Sequence, residues 1–197
     1  MPVGVIAGVD EVGRGALFGP VVAAAVILQP EAKDTLKALG VKDSKQLSLR
    51  QRELLDTHIR AIATAYGVGM ASAREIERIN ILQASLLAMK RAVLRLDPRP
   101  LFCLVDGNQL IPGLEIAQQT VIKGDQTEVA IAAASIVAKV WRDRLIIRLA
   151  ERYPGYDLAS NKGYGSKRHR AAIATLGPSR QHRQTFKGCQ LSLPLET

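Results

Sequence analysis

Two apolar runs near the start, residues 3–10 (VGVIAGVD) and 20–28 (PVVAAAVIL), constrain this 197-residue chain more than any other feature. They are rich in β-branched residues, too short for buried helices, and apolar almost without alternation. That is the pattern of strands covered on both faces. The stretch between them, with Gly13, Gly15 and Gly19, reads as a glycine-dense hairpin connection. A sheet covered on both faces needs helices to cover it, which points to a layered α/β fold.

The rest of the chain supplies those helices. Ser48 with Gln51, and Ser72 with Glu75, are capping-box patterns that predict helices over 48–62 and 72–96, with a third strand at 64–71 between them. Asp97-Pro98-Arg99-Pro100 stops the second helix. A fourth strand is expected at 101–105 and a fifth at 116–122. A long helix is expected over roughly 127–151, alanine-rich on one side (VAIAAASIVAK), and a short one near 167–176. The expected architecture is a mixed five-stranded sheet flanked by helices, with a C-terminal helical extension.

Length and an apolar fraction of 47% suit an ordinary globular protein, and 1–197 is read as a single domain. The net charge is +9, from 27 basic and 18 acidic residues, and it is unevenly spread. Residues 152–189 hold eight Lys/Arg against one acid, Asp157, together with Tyr153, Tyr156, Tyr164 and Phe186. Basic residues interleaved with aromatics suit phosphate contacts and stacking on sugars or bases. A solvated helix with snorkelling lysines reads the same way. Cys103 and Cys189 form no metal-binding or disulfide pattern, which fits a reducing cytosol. No signal-peptide pattern and no apolar stretch of ~20 residues is present, so the expectation is a soluble, cytoplasmic protein without a membrane partner.

Against this basic background four carboxylates stand out. Asp10 and Glu11 close the first run, Asp106 closes the fourth strand, and Asp125 follows the fifth. A polyanion would be repelled by them unless cations lay between. Divalent ions of the Mg²⁺ type take oxygen ligands, and two of them ~3.5–4 Å apart can assist phosphodiester hydrolysis. Consecutive residues on a regular strand face opposite ways, so the strand is expected to end or twist at Glu11. Taken singly, Asp106 before Gly107-Asn108 is also a good turn residue and Asp125 a good N-cap. Gly13-Arg14-Gly15 could bring backbone close to a phosphate or sugar, or simply form a turn. His58 reads as a helix residue, whereas His169 and His182 could contact phosphate or assist proton transfer.

Seven segments occur in order: GVDEVGRGALFGPVVAAAV, DSKQLS, LVDG, KGD, AAASIVAKVWRD, YPGYDLASNKGYGSKRH and GPSRQHRQTF. In them the chain resembles the ribonuclease HII family (type 2 ribonuclease H) from about residue 4 to residue 187. The resemblance implies a ribonuclease H-like sheet. It also implies hydrolysis of the RNA strand of RNA/DNA hybrids and incision 5′ of single ribonucleotides in duplex DNA, leaving 3′-hydroxyl and 5′-phosphate ends. It assigns Asp10, Glu11, Asp106 and Asp125 to a Mn²⁺ or Mg²⁺ site. Gly13, Arg14 and Gly15 become the loop that reads the ribose 2′-OH, and Tyr164 the ring that packs on the next sugar. Ser44, Lys45, Lys162, Lys167 and His169 become substrate contacts. The sister type, ribonuclease HIII, typically has GKG and a glutamate as fourth acid, together with an additional N-terminal domain. Here GRG and Asp125 stand at those positions, and the catalytic strand begins within ten residues of Met1. No clamp-binding peptide with paired aromatics is expected after Gly188, and the protein is expected to act as a monomer.

Overall fold

In the computed structural model, which describes residues 5–41 and 47–190, the two apolar runs form β1 (Ile6–Val12) and β2 (Val21–Ile27), paired antiparallel. All of β2 is buried, and its residues divide by parity. Val21, Ala23, Ala25 and Ile27 enter one core, and Val22, Ala24 and Val26 enter another. The absence of polar alternation in the sequence is thus the signature of a strand with a core on each side. β3 (Ala65–Ala71) adds antiparallel to β2, while β4 (Phe102–Asp106) and β5 (Ala117–Val121) extend the other flank in parallel. The order is β3-β2-β1-β4-β5, the mixed five-stranded sheet expected.

The helices are α1 (Pro30–Ala38), α2 (Leu49–Ile62), α3 (Ala73–Val93), α4 (Gly124–Thr127), α5 (Val129–Arg152), α6 (Leu158–Asn161) and α7 (Lys167–Leu176). α3 covers one face, burying Ile76, Ala88, Met89 and Ala92 against Ala7, Val9 and Ala23. α5 covers the other, burying Ala130, Ala133 and Val137 with Leu36 of α1 and Ile59 of α2. Both capping boxes form as read, with Ser48 and Ser72 as N-caps. A third, smaller core of Leu17, Phe18, Ile146, Tyr156, Leu158 and Ile173 fastens the C-terminal elements to the β1–β2 loop. Both cysteines are buried and free. No described helix is long and apolar enough to cross a membrane.

Three elements depart from expectation. α1 was not expected: Pro30 occupies its first turn, as proline does well, but only Leu36 is buried, so apolar periodicity gives no signal. α3 ends at Val93 rather than near 96 and is broken at Asn80 (φ 65, ψ 169). The Asn80 side-chain oxygen accepts the Gln83 N–H at 3.1 Å and so caps the second segment. The long helix is preceded by the separate turn α4, with Glu128 (φ −115, ψ 113) between them.

α5 lies unusually close to β1. A Cβ added at Gly8 would fall 2.2 Å from the Ala130 carbonyl carbon and 2.4 Å from the Ile131 nitrogen. These are backbone atoms, so only displacement of the helix could make room. Gly8→Ala should therefore destabilise the fold by ~1–3 kcal/mol, read as a lower urea midpoint. An unchanged midpoint would mean that α5 is free to shift.

Candidate active site

β1 is paired with β4 only as far as Val9↔Val105, but with β2 as far as Val12↔Val22. Asp10 and Glu11 thus lie where β4 is ending, beside its last residue, Asp106. Of the two expectations, an end or a twist at Glu11, the first is not met: the strand runs on to Val12. Asp10 lies on the α5 side and is hydrogen-bonded by Ser135 of that helix. Glu11 lies on the α3 side, where it lines a small cavity with Ser85 and Met89. From these opposite faces both carboxylates reach the β4 terminus, and ligand atoms of Asp10, Glu11 and Asp106 come within 4.8 Å of one another. The Asp10 Oδ1 also accepts the Glu11 N–H at 2.7 Å, which turns that carboxylate along its own strand.

Asp106 Oδ1 accepts the Gly124 N–H at 2.7 Å and pins α4 to the end of β4. That contact delivers Asp125, buried, to the same cavity, although it stands outside the 4.8 Å group. It is not an N-cap: Lys123, in the left-handed region (φ 57), occupies that position, and Asp125 lies in the first turn. All four acids line one cavity of about 490 Å³, together with Gly13, Arg14, Gly15, Ser135, Lys139 and Tyr164.

Crowding of the acids has an electrostatic consequence. Burial, and then the charges of Glu11 and Asp106, push the Asp10 carboxyl well above the usual carboxylate range. Glu11 is also raised, chiefly by burial, although Arg14 opposes the shift through an ion pair at 3.2 Å. Such a set holds protons or cations. Its donors are all oxygen, which suits a hard divalent ion and not a thiolate- or imidazole-seeking one.

The opposite wall is a loop held by two buried arginines that the sequence reading did not single out. Arg142 of α5 donates to the carbonyls of Pro20, Lys162 and Phe18 at 3.1, 2.9 and 3.0 Å. Arg183 donates to those of Gly19 and Arg14 at 3.0 and 2.8 Å. Neither side chain is solvent-exposed. Gly13 (φ 91) sits directly over the first: a Cβ there would lie 2.2 Å from Arg142 Nε. Tyr164 lies beside the loop, its ring 5.3 Å from the Arg142 guanidinium and 5.4 Å from Lys139 Nζ. Ser135, Lys139 and Arg142 project from one face of α5 at i, i+4 and i+7. Those polar positions in an alanine-rich helix were the available signal.

The remaining candidates separate. Ser44 and Lys45 lie outside the described residues. Lys167 is exposed at the start of α7, away from the cavity lining. The Lys162 side chain folds back onto the Ala159 carbonyl, and its own carbonyl is what meets Arg142. His169 is not available as a substrate contact: it is fully buried, with both ring nitrogens engaged by Tyr164 and His182. His182 is buried as well, which removes it from phosphate contact.

Comparison with known proteins agrees with this geometry. The model of the family described as ribonuclease HII matches residues 7–189. Ribonuclease HII of Acaryochloris marina is 66% identical over 188 residues, covering 95% of this chain and 95% of that protein. The Archaeoglobus fulgidus RNase HII, solved in complex with PCNA, is 32% identical with a TM-score of 0.76, covering 96% of this chain and 98% of that one. Bst-RNase HIII, solved with Mn²⁺, shares the fold at 21% identity and a TM-score of 0.79, covering 94% of this chain and 68% of that one. With its acids gathered at the ends of β1 and β4 and the family match spanning nearly its whole length, the chain belongs to the ribonuclease HII family, nucleases that cleave the RNA of RNA/DNA hybrids.

Proposed function

We propose that this ribonuclease also incises duplex DNA on the 5′ side of a single embedded ribonucleotide. The proposed chemistry is two-metal-ion hydrolysis that leaves 3′-hydroxyl and 5′-phosphate ends. One observation carries the reading: the four acids share a cavity with the Gly13-Arg14-Gly15 loop and the Tyr164 ring. Asp10, Glu11, Asp106 and Asp125 would hold Mg²⁺ or Mn²⁺. Such ions, when bound, supply an activated water and neutralise charge on the leaving oxygen. The chain's own residues then hold and select. The loop backbone tests for the 2′-OH, the group that distinguishes RNA from DNA, while Tyr164 packs on the following sugar and favours one without it. Lys167, with Ser44 and Lys45, would contact backbone phosphates. The reading takes 1–197 as one catalytic domain acting as a cytoplasmic monomer.

Gly15 is informative because the protein itself does not require it. A Cβ there meets nothing within 4 Å, in contrast to Gly13 over its arginine. On this reading the open space belongs to the substrate. Gly15→Ala should leave the unfolding transition in place and slow cleavage roughly tenfold, the rate equivalent of one lost hydrogen bond. Unchanged cleavage would remove the loop from recognition.

The direct test is a DNA duplex with one ribonucleotide, incubated with folded protein and Mg²⁺ or Mn²⁺; no incision on the 5′ side overturns the proposal. Asp10→Asn should reduce cleavage by more than the ~10–100-fold typical of losing an outer-shell partner, with duplex binding retained. Persistent cleavage would displace the metal site from these acids. Tyr164→Ala should impair cutting at a lone ribonucleotide more than cutting of an extended hybrid. Equal losses on the two substrates would contradict its role at the junction.

A further inference from the structure

Next to Tyr164, two imidazoles face each other with essentially no solvent exposure, His169 at 0% and His182 at 1%. Their contacts admit a single arrangement of protons. The Ser179 backbone N–H, which can only donate, meets His182 Nδ1 at 2.9 Å, and the Ser179 hydroxyl approaches the same nitrogen at 2.8 Å. His182 therefore carries its proton on Nε2. That nitrogen lies 3.1 Å from His169 Nε2, which must accept. The proton of His169 is then on Nδ1, where it donates to the Tyr164 carbonyl at 2.9 Å. Both rings are neutral in this arrangement, in opposite tautomers. A proton added to either would set N–H against N–H across the pair or against the Ser179 amide.

The pair touches both walls that are read as selecting the substrate. His182 forms a β-bridge with Phe18 and packs on its ring at 5.0 Å, within the β1–β2 loop. His169 holds the carbonyl of Tyr164, and the neighbouring Gly163 carbonyl accepts the N–H groups of Leu17 and Phe18 at 2.8 and 3.2 Å. The Tyr156 ring covers both imidazoles, at 4.6 Å from His182 and 6.2 Å from His169. We propose that His169 and His182 form a directed hydrogen-bond relay, Ser179 to His182 to His169 to Tyr164, that positions Tyr164 against the loop and operates only while both rings are neutral. The relay follows from the contacts alone; its consequence for cleavage rests on the role given to Tyr164 above.

The surroundings favour neutrality. Burial lowers His169 and outweighs the charge of Asp157, which favours a proton there. Burial pushes His182 down to about 4, and a proton on His169 would oppose one there. Tyr156 and Tyr164 also neighbour the pair, Arg183 turns its charge to the carbonyls of Gly19 and Arg14, and Arg168 and Arg170 of α7 are exposed. Between the ordinary histidine value of 6.5 and about 4, the unfolded chain binds protons that the native chain does not. The contribution of the pair is therefore complete above that window and lost as pH falls through it.

Long-range ¹⁵N correlation spectra of the imidazoles in the full chain at pH 7 test the relay directly, with His58→Gln assigning the third ring. The expected result is two neutral rings, protonated on Nδ1 at His169 and on Nε2 at His182. A cationic ring, or an Nε2-protonated His169, overturns the relay. His182→Phe keeps ring packing and removes the donor, whereas His182→Gln keeps a donor. The Phe variant should lose about tenfold in incision at a single ribonucleotide, the Gln variant should recover most of it, and the Phe variant should lose less thermal stability than the parent between pH 6.5 and 4.5. Equal behaviour of the two variants would reduce the pair to packing and overturn its positioning role. Rescue by Gln with equal losses on single-ribonucleotide and extended-hybrid substrates would uphold the relay and overturn the selective role of Tyr164 instead.

Discussion

Two guanidinium groups with no solvent exposure, and no ion-pair partner among the described residues, hold the loop side of the acid-lined cavity together. Burying a charge without a counter-charge is costly unless its donors are satisfied. Arg142 meets that demand with the main-chain carbonyls of Phe18 and Pro20 from the loop and of Lys162 from the C-terminal region. Arg183 meets most of it with those of Arg14 and Gly19, its Nη2 finding no hydrogen-bond partner among the described residues. The loop therefore owes its shape less to turn chemistry than to two cations that need its oxygens. Burial and the charge of Arg142 bring Arg183 down to about 9, which still leaves it cationic at neutral pH.

The opposite side of the cavity has the inverse problem. Asp10, Glu11 and Asp106 crowd carboxylates together, and burial opposes the charge of Asp10 and Glu11. Among the described residues Arg14 provides the neighbouring cation in an ion pair, and it is half exposed, so its contribution is screened. The acids are consequently held as a site that gains from an added divalent ion, while the arginines are held by main-chain oxygens already in place. One wall is poised for chemistry and the other for a fixed shape. In the proposed function, hydrolysis needs the first, and choosing a ribonucleotide needs the second.

How much of this could be read from sequence follows from how local each feature is. The unalternating β2 run, the two Ser capping boxes and the acids at strand ends are set by a few neighbouring residues, and they were legible. Asp10 and Glu11 seemed to need a strand that ends or twists at Glu11 because pairing partners are invisible in sequence; β4 ends beside them, and the strand continues. Arg142 and Arg183 looked like two more cations in a basic chain. Their partners lie 122 to 124 and 164 to 169 residues away for the bonds to the loop, so only the tertiary fold distinguishes a buried strut from a phosphate contact. His169 misled for the same reason. Its place in a basic, helix-opening segment suggested exposure, but the aromatic cover of Tyr156 and the facing His182 come from elsewhere in the chain.

α5 couples the two walls mechanically. One of its faces supplies Ser135 to Asp10, Lys139 to the cavity and Arg142 to the loop, and its first turns rest on the backbone of β1 at Gly8. Side chains at i, i+4 and i+7 move together when a helix moves. A shift of α5 along its axis would therefore change the acid cluster and the arginine-held loop at once, and in the same direction. The alanine-rich face allows the close seating that prevents such a shift, because backbone resting on backbone leaves no side chain to readjust. Small residues in this helix are thus as much a part of the alignment between the acids and the loop as Ser135, Lys139 and Arg142.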